Sequence, residues 1–132
     1  MRSSPGDVPE ESWSDPARGR IRFRTLIGDR ASDTDSLSAG ISELSPGGWL
    51  ARHRHQPAEV YHVLDGAGIV EVDGAEHHVG TGATVFIPGG HWHAARNPGP
   101  EPFRVFYAFA VDSFADVHYE FAHPDAGQPG RG

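Results

Sequence analysis

Short runs of alternating apolar and polar residues, separated by turns rich in Gly and Pro, occupy most of this chain of 132 residues. In residues 21–27, for example, Ile21 and Phe23 fall on one face of an extended strand, and Arg22 and Arg24 fall on the other. Further short β-like runs follow at residues 37–44, 49–54, 59–64, 68–72, 75–79, 84–87, 92–96, 103–111 and 117–121, of which 103–111 is largely apolar on both faces. The pattern predicts an all-β single domain of roughly nine or ten strands, folded as a jelly-roll barrel or an immunoglobulin-like sandwich.

The two ends of the chain differ in composition from its middle. Residues 1–19 are polar and contain three Pro, and residues 124–132 are rich in Gly and Pro. We expect a flexible N-terminal arm at 1–19, a β-barrel at 20–123 and a flexible C-terminal tail at 124–132. Within the barrel, the Asp-Gly pair at residues 73–74 predicts a two-residue hairpin turn, because both central residues of such a turn need a positive φ.

Composition argues against several classes of function. The formal net charge is −7, and no basic residues cluster, so nucleic acid is not an expected partner. No apolar run approaches the length of about 18 residues that a membrane span needs, and residues 1–18 lack the apolar core of a signal peptide, so we expect a cytoplasmic protein with no membrane partner. The chain has no Cys and no Lys, which removes thiol nucleophiles, thiolate ligands and Schiff bases. Nine His and 18 carboxylates leave acid–base and metal chemistry.

A stretch that contains His and Glu gives the strongest functional signal. His53 and His55 are two residues apart, so both imidazoles point to the same face of a strand. Glu59 begins the next extended run, and His93 follows a Pro-Gly-Gly turn. Three imidazoles and one carboxylate suit Fe, Zn, Mn, Ni or Co, and they leave open positions for water or substrate. The alternative for a lone His-x-His pair is two half-exposed histidines on an edge strand.

Two longer patterns favour the metal site. The first, G-x5-H-x-H-x3-E-x6-G, runs from Gly47 to Gly66, and the second, G-x5-P-x-G-x2-H-x3-N, runs from Gly82 to Asn97. With them the sequence resembles the cupin superfamily over about residues 37–111, which implies a cupin jelly-roll β-barrel and, since cupins commonly pair through their sheets, a homodimer. The resemblance also implies the ligands of one divalent transition metal ion: His53, His55, Glu59 and His93.

Strand parity places further side chains near the expected metal. Tyr61 shares the inward face with Glu59, whereas His62 is expected to point outward. A Tyr base at neutral pH needs a pKa roughly 2 to 3 units below the usual value near 10, a shift that a nearby divalent cation could supply. The alternative is that Tyr61 only packs the barrel and hydrogen-bonds a ligand. His91, in the turn before His93, is a candidate for the mouth of the pocket.

A narrower resemblance involves Glu59 and Tyr61 in PAEVY, HWH at 91–93, and FYAFAVDSFADVHYEF at 106–121. With these the chain resembles the small single-domain cupin lyases that cleave dimethylsulfoniopropionate. In that family the Tyr of Glu-x-Tyr is the proposed base and a later Tyr assists at the pocket, roles that the resemblance assigns to Tyr61 and Tyr119. It implies metal-dependent β-elimination from a small carboxylate substrate. An Fe-dependent dioxygenase with the same ligands and a non-catalytic small-ligand-binding cupin stay open as alternatives.

Overall fold

The computed structural model describes residues 2–28 and 35–122, and nearly all of their regular structure is β-strand. The strands are β1 (Glu11–Asp15), β2 (Gly19–Ile27), β3 (Ser38–Leu44), β4 (Trp49–Arg54), β5 (Glu59–Asp65), β6 (Ala67–Val72), β7 (Ala75–Gly80), β8 (Thr84–Ile87), β9 (His93–Arg96), β10 (Phe103–Phe109) and β11 (Glu120–Phe121). The helices of these two ranges are single 3₁₀ turns, Pro5–Asp7 and Phe114–Asp116. Neither of them is long or apolar enough to cross a membrane. The all-β prediction is confirmed.

One curled antiparallel sheet carries all eleven strands, in the order β7-β6-β9-β4-β2-β3-β10-β5-β8. β1 joins the sheet beside β2, and β11 joins it beside β4. Strands that lie far apart in the sequence are therefore neighbours, as β10 is of both β3 and β5. This is the jelly-roll barrel that the sequence predicted, in which the inward residues of each strand form a common core.

Strand alternation decides which side chains form that core. In β10, Phe103, Val105, Tyr107 and Phe109 are buried, and the residues between them are half-buried. β5 repeats the pattern, with its odd-numbered residues buried as far as Val63. The Asp-Gly turn is also confirmed: Asp73 and Gly74 have φ values of 48° and 83°, and they connect β6 to β7.

The structure differs from the expected flexible arm at Glu11–Asp15, which forms β1. β1 pairs antiparallel with β2, Trp13 lying opposite Ile21. Trp13 is the one large apolar residue of this strand, so the local pattern carries little strand signal, and the pairing partner supplies the order instead. The predicted tail at 124–132 lies outside the described residues.

Candidate metal centre

Three histidines converge inside the barrel from two neighbouring strands. His53 in β4 lies directly opposite His93 in β9, and His55 follows β4 by one residue. Their exposed fractions are 1% for His53, 4% for His55 and 0% for His93. Each histidine offers one ring nitrogen to the cluster, and these three nitrogens all lie within 4.8 Å of one another. A group of three buried imidazoles at this spacing could hold a metal ion.

A β-bulge in β4 aims these side chains inward. Leu50 lies opposite Ala95 and His53 lies opposite His93, so β4 has one more residue than β9 between the two pairs. The extra residue switches the inward face from even to odd positions. As a result Leu50 and His53 both line the same pocket, although three residues separate them.

The backbone fixes the orientation of all three imidazoles. His53 donates from Nδ1 to the carbonyl of Ala51 at 2.7 Å, and His93 donates in the same way to the carbonyl of His91 at 2.9 Å. His55 donates from Nδ1 to the carbonyl of Pro57 at 2.9 Å. A carbonyl oxygen only accepts, so Nδ1 carries a proton in each ring, and a neutral ring then has its lone pair on Nε2. Such bonds to the remote nitrogen are typical of metal-binding histidines.

Glu59 completes the cluster from the start of β5. One of its carboxylate oxygens, Oε1, lies 3.2 Å from Nε2 of His55 and 3.3 Å from Nε2 of His93. The Glu59 side chain is 4% exposed. In the neutral rings Nδ1 holds the only proton, so these short contacts bring the lone pairs of Oε1 and Nε2 together, an arrangement that is costly in a buried site unless a cation lies between them. The donor set of three imidazoles and one carboxylate therefore fits a divalent transition metal.

Burial also favours the neutral, metal-binding form of His53. Removal from water lowers the pKa of His53 well below 6.5, and the electrostatic interaction with His93 lowers it further. The hydrogen bond to the carbonyl of Ala51 opposes this shift without reversing it. His53 thus keeps its lone pair at neutral pH.

Two tyrosines lie beside the imidazoles, both of them singled out by the sequence. Tyr61 is buried, on the inward face of β5, and its ring centre is 6.2 Å from that of His93. Tyr119 comes from the other end of the chain and lies 5.3 Å from the rings of both His53 and His55. Burial, followed by the negative charge of Glu59, raises the pKa of both tyrosines well above 10.0.

The strand β11 brings Tyr119 to this position. Glu120 pairs with Arg54 and Phe121 with His53 along the backbone. A 2.5 Å ion pair between the side chains of Arg54 and Glu120 adds to this pairing on the outer surface. This pairing fixes the chain next to Tyr119 against β4.

A small apolar pocket lies beside the cluster. Its volume is about 40 Å³, room for about three water molecules when each needs ~10–15 Å³. Among the described residues, twelve line it, and seven of these are aromatic. His53, Glu59, Tyr61 and Tyr119 are all among the twelve. The pocket suits a small substrate that reaches the imidazoles through the aromatic part of the pocket.

Comparison with known proteins identifies the family. A family model described as a cupin domain matches residues 40–109. The chain belongs to the cupin family. Its relatives include the dimethylsulfoniopropionate lyase DddW of Ruegeria pomeroyi, 40% identical over 115 residues that make up 87% of this chain and 75% of DddW.

Two further similarities show how widely the cupin fold is used. The gentisate 1,2-dioxygenase of a Ralstonia species is 36% identical over 103 residues, which are 74% of this cupin but only 28% of the dioxygenase. The solved structure of the polyketide cyclase RemF from Streptomyces resistomycificus has a TM-score of 0.77 at 25% identity, and the match covers 93% of this cupin and 87% of RemF. The shared barrel alone does not determine the reaction.

Two other histidines of this cupin lie away from the pocket. His91 was a candidate for the pocket mouth, but its Nδ1 lies 2.7 Å from a carboxylate oxygen of Asp73, and it is absent from the described pocket lining. The side chain of His91 is 42% exposed, and only its carbonyl contributes to the site, through the bond from His93. His62 points outward as predicted and bonds Thr84 at 2.7 Å.

Sequence reasoning missed Trp13 as a pocket residue. Trp13 lines the pocket from β1, and its ring meets that of Tyr119 edge to face at 5.3 Å. A single Trp in a polar segment carries no periodic signal, so the sequence contains nothing that would have found it. Tyr107 also lines the pocket, from the inward face of β10.

Proposed function

We propose that this cupin is a metal-dependent lyase that breaks a carbon–sulfur bond by β-elimination from a small carboxylate, with dimethylsulfoniopropionate as the specific candidate. The observation that carries the proposal is the position of the buried Tyr61. It lies one pleat from Glu59 and beside three imidazoles whose ring nitrogens lie close enough together to hold one metal ion. The 40% identity to a dimethylsulfoniopropionate lyase over three quarters of that protein supports it.

His53, His55 and His93 would hold the metal through Nε2, with Glu59 as the fourth ligand. A divalent cation at this position acts as a Lewis acid towards a substrate carboxylate and favours the ionised form of nearby acidic groups. The fixed Nδ1 bonds of the three imidazoles hold the ligand nitrogens in place before any substrate arrives. The ligand set stays a proposal, and so does the identity of the metal.

The chain's own groups then move the proton. Burial and Glu59 raise the pKa of Tyr61 in the metal-free site, so its ionised form would depend on the charge of the bound cation. Oη of ionised Tyr61 takes the proton from the α-carbon of the substrate. The electrons of that C–H bond form the double bond to the β-carbon, and the β-carbon–sulfur bond breaks with its electron pair leaving on sulfur. Dimethylsulfoniopropionate would give acrylate, dimethyl sulfide and the proton held on Tyr61, so atoms and charge balance. Tyr119 covers the imidazoles and excludes water.

The replacement of Tyr61 by Phe tests the proposal. General-base catalysis contributes about 10²- to 10⁴-fold, so Tyr61→Phe should lower kcat at least 100-fold while the bound metal, measured by elemental analysis, stays unchanged. Tyr107→Phe is the matched control, because Tyr107 is buried directly opposite Tyr61 on the neighbouring strand and, like Tyr61, lines the pocket. It should keep kcat within about tenfold. Full activity of Tyr61→Phe, measured as dimethyl sulfide in the headspace, would exclude Tyr61 as the base.

A second candidate is an Fe-dependent dioxygenase, which the 36% identity to gentisate 1,2-dioxygenase favours. It predicts oxygen consumption by the Fe(II) form with an aromatic acid and none by the Zn form. A non-catalytic cupin predicts tight binding of a small acid with no product by mass spectrometry. Homodimerisation and a cytoplasmic location stay predictions.

A further inference from the structure

Trp13 has no part in the proposed reaction, yet the fold places it in the wall of the pocket. β1 holds it opposite Ile21, and its ring packs edge to face against Phe23 at 5.4 Å and Tyr119 at 5.3 Å. Tyr119 in turn contacts His53 and His55. One aromatic ring thus separates Trp13 from the candidate metal ligands, so Trp13 lies where the end of the substrate remote from the metal would be.

The charges around the pocket favour one kind of substituent at that end. Glu59 is the one carboxylate among the described lining residues, no Arg is found among them, and the chain has no Lys. Seven of the twelve described lining residues are aromatic. Aromatic faces are negative, so they repel an anionic group and attract a cation that carries no hydrogen-bond donors of its own.

Trp is the aromatic side chain that attracts cations most strongly. The ring of Trp13 already has one cation beside it: the guanidinium of Arg18 lies 5.1 Å from the ring centre. Arg18 is itself exposed and paired with Asp15 at 2.8 Å, so its charge is largely neutralised on the solvent side. The pocket side of Trp13 remains the part that a substrate can contact.

We propose that Trp13 is a specificity-determining residue that recognises a permanently positive substituent, a sulfonium or quaternary ammonium group, on a small carboxylate. The substrate would then be a zwitterion, with its carboxylate at the imidazole cluster and its cation at the aromatic wall. This inference rests on the proposed function, because a sulfonium is the leaving group that β-elimination would release.

The test compares two acids of nearly equal shape that differ in charge. In 3-(trimethylammonio)propanoate the bulky end is a cation, and in 4,4-dimethylpentanoate a neutral carbon replaces the nitrogen. Binding of each to the full-length, zinc-loaded protein is measured by isothermal titration calorimetry. We expect the cationic acid to bind about tenfold more tightly than the neutral one, within the range of cation–π interactions.

Variants assign that preference to one ring. Trp13→Leu should remove the preference for the cationic acid, and Trp13→Phe, which retains an aromatic ring if the leucine variant fails to fold, should keep part of it. Trp92→Leu is the matched control, because Trp92 packs under Arg54 at 4.5 Å and is not among the described lining residues. It should leave the preference unchanged.

Several outcomes would overturn the inference. Equal or tighter binding of the neutral acid by the unaltered protein would do so, as would binding of neither acid. Equal weakening of the binding of both acids in Trp13→Leu would show a merely structural role.

Headspace assays separate this inference from the proposed function. A protein that prefers the cationic acid but releases no dimethyl sulfide refutes the lyase alone, and unchanged kcat/KM for dimethylsulfoniopropionate in Trp13→Leu refutes the role of Trp13 alone.

Discussion

Replacement of Glu59 by Gln should stabilise the metal-free protein while it weakens metal binding. In the metal-free site the Glu59 carboxylate faces Nε2 of His55 and Nε2 of His93 at 3.2 and 3.3 Å. In the neutral rings each of those nitrogens has a lone pair, because Nδ1 of each ring donates to a backbone carbonyl. A Gln amide has the same shape as the carboxylate, carries no charge, and can donate a hydrogen bond to one of these nitrogens.

The size of the effect follows from these contacts. A net hydrogen bond contributes about 0.5 to 1.5 kcal/mol, and an unsatisfied buried group costs about 1 to 3 kcal/mol. We therefore expect Glu59→Gln to raise the free energy of unfolding of the metal-free protein by about 1 to 2 kcal/mol. For a domain of this size, that corresponds to a rise of roughly 3 to 10 °C in Tm.

Urea denaturation at pH 8 measures the free energy of unfolding of the unaltered protein and of Glu59→Gln, first with a chelator and then with saturating zinc. With zinc at 1,000 times its Kd, the unaltered protein should gain about 4 kcal/mol, and Glu59→Gln should gain less because it lacks the anionic ligand. Glu71→Gln is the matched control. Glu71 is also buried, but it is paired with Arg52 at 3.5 Å, so its replacement should destabilise the protein equally with and without zinc.

A fall in the stability of metal-free Glu59→Gln would refute this reasoning. It would mean that a proton already joins the carboxylate to His55 or His93, so that the wild-type contact is an ion pair. An unchanged response to zinc would refute the assignment of Glu59 as a ligand.

Two further predictions concern stability. Gly66 has a φ of 80°, and a Cβ there would collide with the carbonyl of Pro102, whereas Gly74, with a φ of 83°, faces open space. Gly66→Ala should therefore lower the free energy of unfolding by about 1 to 3 kcal/mol more than Gly74→Ala does. Thermal unfolding of the two variants would measure this difference. Because burial lowers the pKa of His53 in the folded protein, the unfolded chain binds a proton first as the pH falls below about 6.5, and the metal-free protein should lose up to about 1.4 kcal/mol per pH unit there. A flat profile of urea midpoints between pH 7 and 5 would contradict this.

Much of the fold could be read from local sequence patterns. The period of two in β10 and β5 placed the buried and outer residues correctly, because one strand face has to pack against the core whatever its neighbours are. The Asp73-Gly74 turn was also predictable, because its geometry depends on two residues alone. The spacing of His53, His55 and His93 within two motifs pointed to one cluster before any coordinates were known.

Other features depended on contacts between distant parts of the chain. The bulge that lets Leu50 and His53 share a pocket exists only in the pairing of β4 with β9. The pairing of β1 with β2 places Trp13 at the pocket, and the side chain of His91 contacts Asp73 instead of the pocket. The sequence by itself determined which residues could bind a metal and which faces are buried, since both follow from residue type and period. The tertiary structure alone decided what surrounds that cluster, because long-range strand pairing brings β1 and β11 to the site.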